Sequence, residues 1–310
     1  MRIVFMGSSS FGIPAVERLT AAGHEIVAVV STPAMPQGRG LKIEDSPISQ
    51  YAQEKSIKPI IKPEDLKDGN FLNTLRELEP QLFVVVAFRI LHESIFSLPL
   101  FGTINIHASL LPRWRGPAPI QRAIEAGDKE TGVTIFKIDS GIDTGGIIVQ
   151  KKAEIFENEC APSLSERLGL LGAEALLEAI ESIQRQPFSP IRQDPGLATK
   201  APKLTKAEAR IDWRLPASAI FNRIRAFKPF PGTYTMLEGK HIGIEWALPN
   251  DEEITVLEPG TITDIDPDGF IVQCGKGRLR IVEVKPESRT AMSVAAFQRG
   301  HKLAKGVRFQ

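Results

Sequence analysis

The chain has 310 residues, enough for two ordinary domains, and 42% hydrophobic with 24% charged residues excludes long disorder. A net charge of +1 excludes a uniformly polybasic or polyacidic chain. The split is uneven, with 16 Lys/Arg against 13 Asp/Glu from residue 206 onward and 22 against 24 before it, which permits a polyanionic partner on the C-terminal part.

The first run, Met1-Arg2-Ile3-Val4-Phe5-Met6-Gly7, reads as a strand entering a turn, with no signal or transit pattern. No apolar run is long enough to span a bilayer, so a soluble, cytoplasmic protein is expected. Runs at Ile3–Met6, Ile26–Val30, Leu82–Phe88, Ile104–Ile106 and Val133–Ile138 read as strands buried on both faces. A helical pattern over Pro14–Leu19, ending near Gly23, lies between the first two. The βα alternation predicts a mostly parallel sheet covered by helices. A long helix follows, with Ser163 and Glu166 as a capping box and Leu164, Leu168, Leu171, Ala175 and Ala179 as its apolar face.

Pro187, Pro190, Pro195 and Pro202 then mark a semi-rigid linker. Beyond it His241–Ala247, Gly260–Ile265, Phe270–Gln273 and Leu279–Val284 alternate with turn signals such as Asp268-Gly269, which predicts a small β-barrel. The expected organisation is a domain over 1–186, a linker over 187–205 and a barrel over 206–310. The two cysteines, Cys160 and Cys274, are far apart and lack partners at ligand spacing, so no metal site is expected.

Four segments offer chemistry. The turn Gly7-Ser8-Ser9-Ser10-Phe11-Gly12 departs from the dinucleotide fingerprint and reads as a tight strand-to-helix turn. In the run Gly102–Gly116, Ile104 and Ile106 alternate with Asn105 and His107, so the amide and the imidazole share one face at the carboxyl end of a strand. That pair suits acyl transfer: the amide NH₂ can donate to a developing oxyanion, and the imidazole can move a proton near neutral pH. In Ile138–Gly146, Asp143 between glycines could orient His107 or accept a proton from an amine, and Asp139 competes with it for that role. Pro33–Ser46 is a long βα connection carrying Arg39 between two glycines, which reads either as an ordinary solvated loop, its basic residues being few, or as a loop suited to contacting a nucleic-acid end.

Asn105-Ile106-His107-Ala108-Ser109-Leu110-Leu111-Pro112-Arg113-Trp114-Arg115-Gly116, then Pro119-Ile120-Gln121 and Asp139-Ser140-Gly141-Ile142-Asp143-Thr144-Gly145, resemble the methionyl-tRNA formyltransferases. The likeness extends to Gly38-Arg39-Gly40, Ala209–Trp213, Ile224–Phe227 and Gly306–Phe309. It implies a Rossmann-like formyltransferase domain followed by a C-terminal barrel similar to an OB-fold, with 10-formyltetrahydrofolate as donor and initiator methionyl-tRNA as acceptor. It implies catalytic roles for Asn105, His107 and Asp143. It places Ser109, Leu110, Leu111 and Pro112 at the folate and Arg39 at the tRNA acceptor end; Phe88 and Ile90 are further folate candidates, and Lys42, Arg210 and Arg225 are tRNA-binding candidates. Arg223, Lys228, Lys302 and Lys305 are further candidates for a basic track, and a monomer is expected.

Relatives that share the Asn/His/Asp set use other acceptors; the Gly-Arg-Gly loop, Ala108 before Ser109 and the appended barrel separate this chain from them. Two departures are visible: Arg89 stands where the family pattern has glycine after an aromatic residue, and Lys200 where it often has tyrosine.

Overall fold

In the computed structural model, which describes residues 1–37, 42–185, 188–250, 257–301 and 303–310, the apolar run at Arg2–Gly7 forms strand β1. There follow α1 (Ile13–Ala21), β2 (Glu25–Val30), β3 (Met35–Gln37), β4 (Lys42–Glu44), α2 (Pro47–Glu54), β5 (Ile60–Ile61) and α3 (Gly69–Glu77). Next come β6 (Leu82–Val86), α4 (Glu93–Phe96), β7 (Thr103–His107), α5 (Pro119–Ala126), β8 (Glu130–Lys137), β9 (Ile147–Glu154) and α6 (Ala161–Gln184).

One compact unit comprises Met1–Pro119, Glu130–Glu154 and Ser165–Pro202. Its seven-stranded sheet runs β5-β2-β1-β6-β7-β8-β9. The pairings from β5 to β7 are parallel, and those of β7, β8 and β9 are antiparallel. Ile3, Val4, Phe5 and Met6 are fully buried, as a central parallel strand with helices on both faces requires. Each such side chain contributes about 1.5–3 kcal/mol. Strand order reverses at β1, which has β2 on one side and β6 on the other. Crevices that hold ligands form beyond the carboxyl ends of strands at such a switch point. The Ser8 hydroxyl donates to the Ala87 carbonyl there at 2.9 Å.

Three local readings change. The long connection after β2 contains the β3–β4 hairpin, Met35 opposite Glu44. Helix α6 begins at Ala161, with Pro162 in its first turn, where a missing N–H costs nothing. Ser163 is therefore inside the helix, its hydroxyl donates to the Cys160 carbonyl at 3.0 Å, and the expected capping box is not formed. The stretch read as a spacer is bonded into this unit. Ile191 and Ile147 exchange both backbone hydrogen bonds at 2.8 Å, Arg115 N donates to Thr199 O at 2.9 Å, and Ala201 N donates to Arg115 O at 2.7 Å. Residues between the prolines keep their amides, and these find partners.

The other unit comprises Ile120–Lys129, Ile155–Leu164 and Lys203–Gln310. It contains α7 (Ala217–Ala226), β10 (Tyr234–Leu237), β11 (Lys240–Asn250), β12 (Ile262–Asp266), β13 (Gly269–Gln273), β14 (Arg278–Pro286), β15 (Met292–Ser293) and α8 (Val294–Gln298). The strands form an antiparallel, barrel-like sheet in the order β10-β11-β14-β13-β12, with β15 on β14. Its core holds Trp213, Phe221, Phe270, Phe297 and Phe309. Among the described residues, no helix is long and apolar enough to cross a membrane.

Candidate active site

Strand β7 carries Asn105 and His107 two residues apart, hence about 7 Å apart on one face. The intervening Ile106 points to the opposite face, onto Gly172 of α6. Antiparallel β8 sets Phe136 opposite Asn105 and Thr134 opposite His107. The Phe136 ring meets the imidazole edge-on, with centroids 6.4 Å apart.

His107 is 6% exposed. Its Nε2 lies 2.8 Å from the carbonyl oxygen of Trp114. A carbonyl only accepts, so Nε2 carries the hydrogen and the neutral ring keeps its lone pair on Nδ1. That Nδ1 faces Asp143 Oδ2 at 3.7 Å. Burial pushes the imidazole below its ordinary value, against the smaller opposing pull of the Asp143 charge and the Trp114 carbonyl.

Asp143 holds a left-handed backbone, φ +54°, and its Oδ2 accepts from Gly116 N at 2.8 Å. Gly116 has φ +125°, and a Cβ there would lie 2.7 Å from Ala201 O, so only glycine presents its N–H to Asp143 in this place. Asp139 is resolved as a turn residue: its Oδ1 accepts from Gly141 N at 3.0 Å and from the Thr144 hydroxyl at 2.6 Å. The structure thus brings Asp143, not Asp139, to His107.

Asn105 has a buried Oδ1 with no hydrogen-bond partner among the described residues. A buried amide atom without a partner is costly and rare in a finished fold, and it marks a position for a ligand group to satisfy.

The segment after His107 is stapled over β8. Ser109 Oγ donates to Arg113 O at 2.6 Å, Leu111 N donates to Thr134 Oγ1 at 3.1 Å, and Thr134 Oγ1 donates to Ser109 O at 2.6 Å. Gln150 Nε2 donates to Leu111 O at 2.7 Å. Leu110 lies on Gly132, where an added Cβ would come 2.6 Å from Leu110 Cδ2. Ser109 and Leu111 are buried, and Leu110 and Pro112 are partly exposed. Phe88 packs against the core beyond β6, whereas Ile90 is 79% exposed. Arg89 turns away: its guanidinium donates to the carbonyls of Pro63 at 2.6 Å and Glu64 at 2.9 Å and stacks on Phe88.

The expected tRNA contacts separate. Arg39 and Lys302 lie outside the described residues, and Lys42 and Arg210 are exposed. Lys228 sits over the Trp246 ring, Lys305 pairs with Asp264 at 2.6 Å, and Arg223 pairs with Glu125 at 3.0 Å. Arg225 departs from the expectation of a phosphate contact. It is 4% exposed, and its guanidinium donates to Asn222 Oδ1 at 2.9 Å and to Glu159 O at 3.0 Å. Burial drives its charge inward onto fixed acceptors, which suits an anchor within its own unit.

The residues that sequence reading missed are Thr134, Gln150, Thr199 and Gln193. None stands in a pattern; each acts through a hydrogen bond to a distant loop.

Residues 1–180 match the family model described as formyl transferase, and residues 203–302 match formyl transferase, C-terminal domain. The chain is 41% identical over 308 residues to the methionyl-tRNA formyltransferase of Caldanaerobacter subterraneus subsp. tengcongensis, covering 99% of each chain. It is 42% identical over 305 residues to that of Methylococcus capsulatus, covering 98% of each. Among solved structures it is similar in fold to HypX from Aquifex aeolicus in complex with tetrahydrofolic acid, with TM-score 0.67, 19% identity and 100% of this chain covered. The chain spans about half of that protein's length, the covered share being 50%. Methionyl-tRNA formyltransferase from Clostridium thermocellum aligns with TM-score 0.53 and 18% identity, over 82% of this chain and 96% of that one. The chain belongs to the methionyl-tRNA formyltransferase family.

Proposed function

We propose that the chain transfers the formyl group of 10-formyltetrahydrofolate to the methionine amino group of initiator methionyl-tRNA, in the cytoplasm where translation starts. The observation that carries this reading is the gap between His107 Nδ1 and Asp143 Oδ2. Two acceptors face each other at 3.7 Å, beside an unsatisfied amide on the same strand face as the imidazole. Such a gap fits a group that brings its own proton, as an amine does.

Attack of a neutral amine on a formyl carbon places negative charge on the carbonyl oxygen and positive charge on the nitrogen. The Asn105 amide donates to the oxygen and is satisfied in return by a donor from the substrate. His107, held by Trp114 through Nε2, takes the amine proton on Nδ1. Asp143 stabilises the resulting imidazolium, which returns the proton to the departing folate nitrogen. No covalent enzyme intermediate is required. Leu110 and Pro112, partly exposed beside the buried Ser109 and Leu111, offer an apolar edge for a folate ring, and the Arg89 guanidinium is committed to the carbonyls of Pro63 and Glu64.

The test is a formylation assay with labelled donor, offering charged initiator tRNA, charged elongator tRNA and an amino sugar nucleotide in parallel. Transfer to initiator methionyl-tRNA above both others supports the reading. Transfer only to the sugar nucleotide, or tRNA binding without turnover, contradicts it.

A further inference from the structure

Gln193 is 5% exposed and lies in the proline-rich stretch that reads as a spacer. Its Nε2 donates to Asp143 O at 2.9 Å and to Gly145 O at 2.8 Å. Its Oε1 accepts from Arg115 Nε at 3.1 Å and Nη2 at 2.7 Å. One amide therefore uses both of its N–H donors on the loop that carries Asp143, and its oxygen on the loop that carries Trp114 and Gly116. Those two loops supply both partners of the His107 ring.

The residues around it act in the same sense. Thr199 Oγ1 accepts from Trp114 N at 2.9 Å, and Thr199 O accepts from Arg115 N. Trp114 and Asp143 both hold left-handed backbones, φ +61° and +54°. Non-glycine residues persist in that region only where surrounding bonds over-determine them.

We infer that Gln193 is a positioning residue for formyl transfer, a clamp that fixes the Asp143 carboxylate and the Trp114 carbonyl on opposite sides of the His107 imidazole. The inference rests on the functional reading above. Arg115 shares the clamp, because its guanidinium presents two N–H groups to one amide oxygen in a fixed fork. Gln is the fitting residue here: a glutamate would accept from Arg115 but offer nothing to the two carbonyls, and an aliphatic side chain would satisfy neither loop.

The experiment compares Gln193→Leu and Gln193→Glu with the wild-type full chain, reading kcat, the KM for each substrate, the thermal midpoint and the His107 ring resonances by NMR. Displacing a catalytic group by about 1 Å costs roughly 10²-fold, so Q193L is expected to lose kcat on that scale with both KM values within about threefold. Q193E is expected to be impaired at neutral pH and to recover relative to wild type as pH falls, because a protonated carboxyl regains one O–H donor. Unchanged kcat in Q193L overturns the inference. So does a loss that scales with the fraction unfolded and shows no acid recovery in Q193E. A wild-type chain that formylates no tRNA ends the functional reading instead. The clamp is then judged by NMR alone: shifted His107 resonances in folded Q193L support it, and unshifted ones overturn it.

Discussion

The Nε2 of His107 donates to the main-chain carbonyl of Trp114 across 2.8 Å, and this one bond decides what the imidazole can do. It assigns the tautomer, so the nitrogen open to proton chemistry is Nδ1, on the Asp143 side. Removing the ring by His107→Ala is expected to lower kcat by roughly 10²–10⁴-fold, the range for a general acid–base group. The KM for tRNA should stay near wild type, since the ring is buried and carries no phosphate-binding charge when neutral. Steady-state kinetics with saturating donor checks this.

The pH dependence follows from the same burial. The folded imidazole is held below its ordinary value of about 6.5, so the neutral ring persists to lower pH than a free histidine. The acid limb of kcat/KM, which reports the free enzyme, is expected to lie below pH 6.5. Below that pH the unfolded chain binds a proton that the folded chain resists, so stability falls as pH falls. In His107→Gln this part of the acid loss should vanish, giving a shallower stability curve between neutral pH and 5 in denaturant titrations.

Asn105→Ala removes one oxyanion donor and should cost roughly 10²–10³ in turnover. Its stability should hold or rise slightly, because the variant deletes a buried atom that has no partner among the described residues. That opposite movement of activity and stability, read by kinetics and calorimetry on one preparation, separates a site residue from a packing residue.

Gly116→Ala is expected to cost about 1–3 kcal/mol and to reduce turnover in parallel, since φ +125° is unavailable to alanine without strain and the new Cβ meets Ala201 O. Thermal unfolding and turnover on the same variant check both parts.

In the C-terminal unit, Glu208 accepts from the Thr205 backbone, and its Oε1 lies 2.8 Å from Arg122, whose hydrogen bonds lower its carboxyl to about 2. A depressed carboxyl contributes stability that is present above its ordinary value near 4.5 and lost as pH falls toward 2. Solvent screening at this partly exposed site leaves about 1 kcal/mol, so Glu208→Gln should destabilise by that amount at pH 7 and by almost nothing at pH 2. Urea titrations at the two pH values measure it. Arg225→Ala should also act on stability, by about 2 kcal/mol or more, with little change in the salt dependence of tRNA binding. Lys42→Ala or Arg210→Ala should instead reduce the slope of log affinity against log salt by about one.

The strands β1, β2 and β6 were legible because each holds an uninterrupted apolar run between turn residues, and β7 with its Asn-x-His pair was legible because strand alternation fixes which side chains share a face. Strand β9 was not singled out: as an edge strand with three of its eight residues exposed and the rest half-buried, it carries Gln150, Lys151 and Lys152 and has no buried run to betray it. Arg225 misled because an arginine on a helix looks like surface, and only tertiary packing shows its guanidinium turned onto Asn222 and Glu159. Gln193 carries no periodic signal at all; a single amide in a proline-rich stretch becomes meaningful only when two loops fold onto it.

The most direct test of the central claim, that Asn105, His107 and Asp143 surround one reacting carbonyl, is single-turnover formyl transfer with donor and initiator methionyl-tRNA pre-bound at saturation. Wild type, Asn105→Ala, His107→Ala and Asp143→Asn are compared, with binding of both substrates measured separately. The account predicts that each variant binds both substrates and transfers the formyl group at least about 10²-fold more slowly. Transfer at a near-wild-type rate by any one of the three would contradict it.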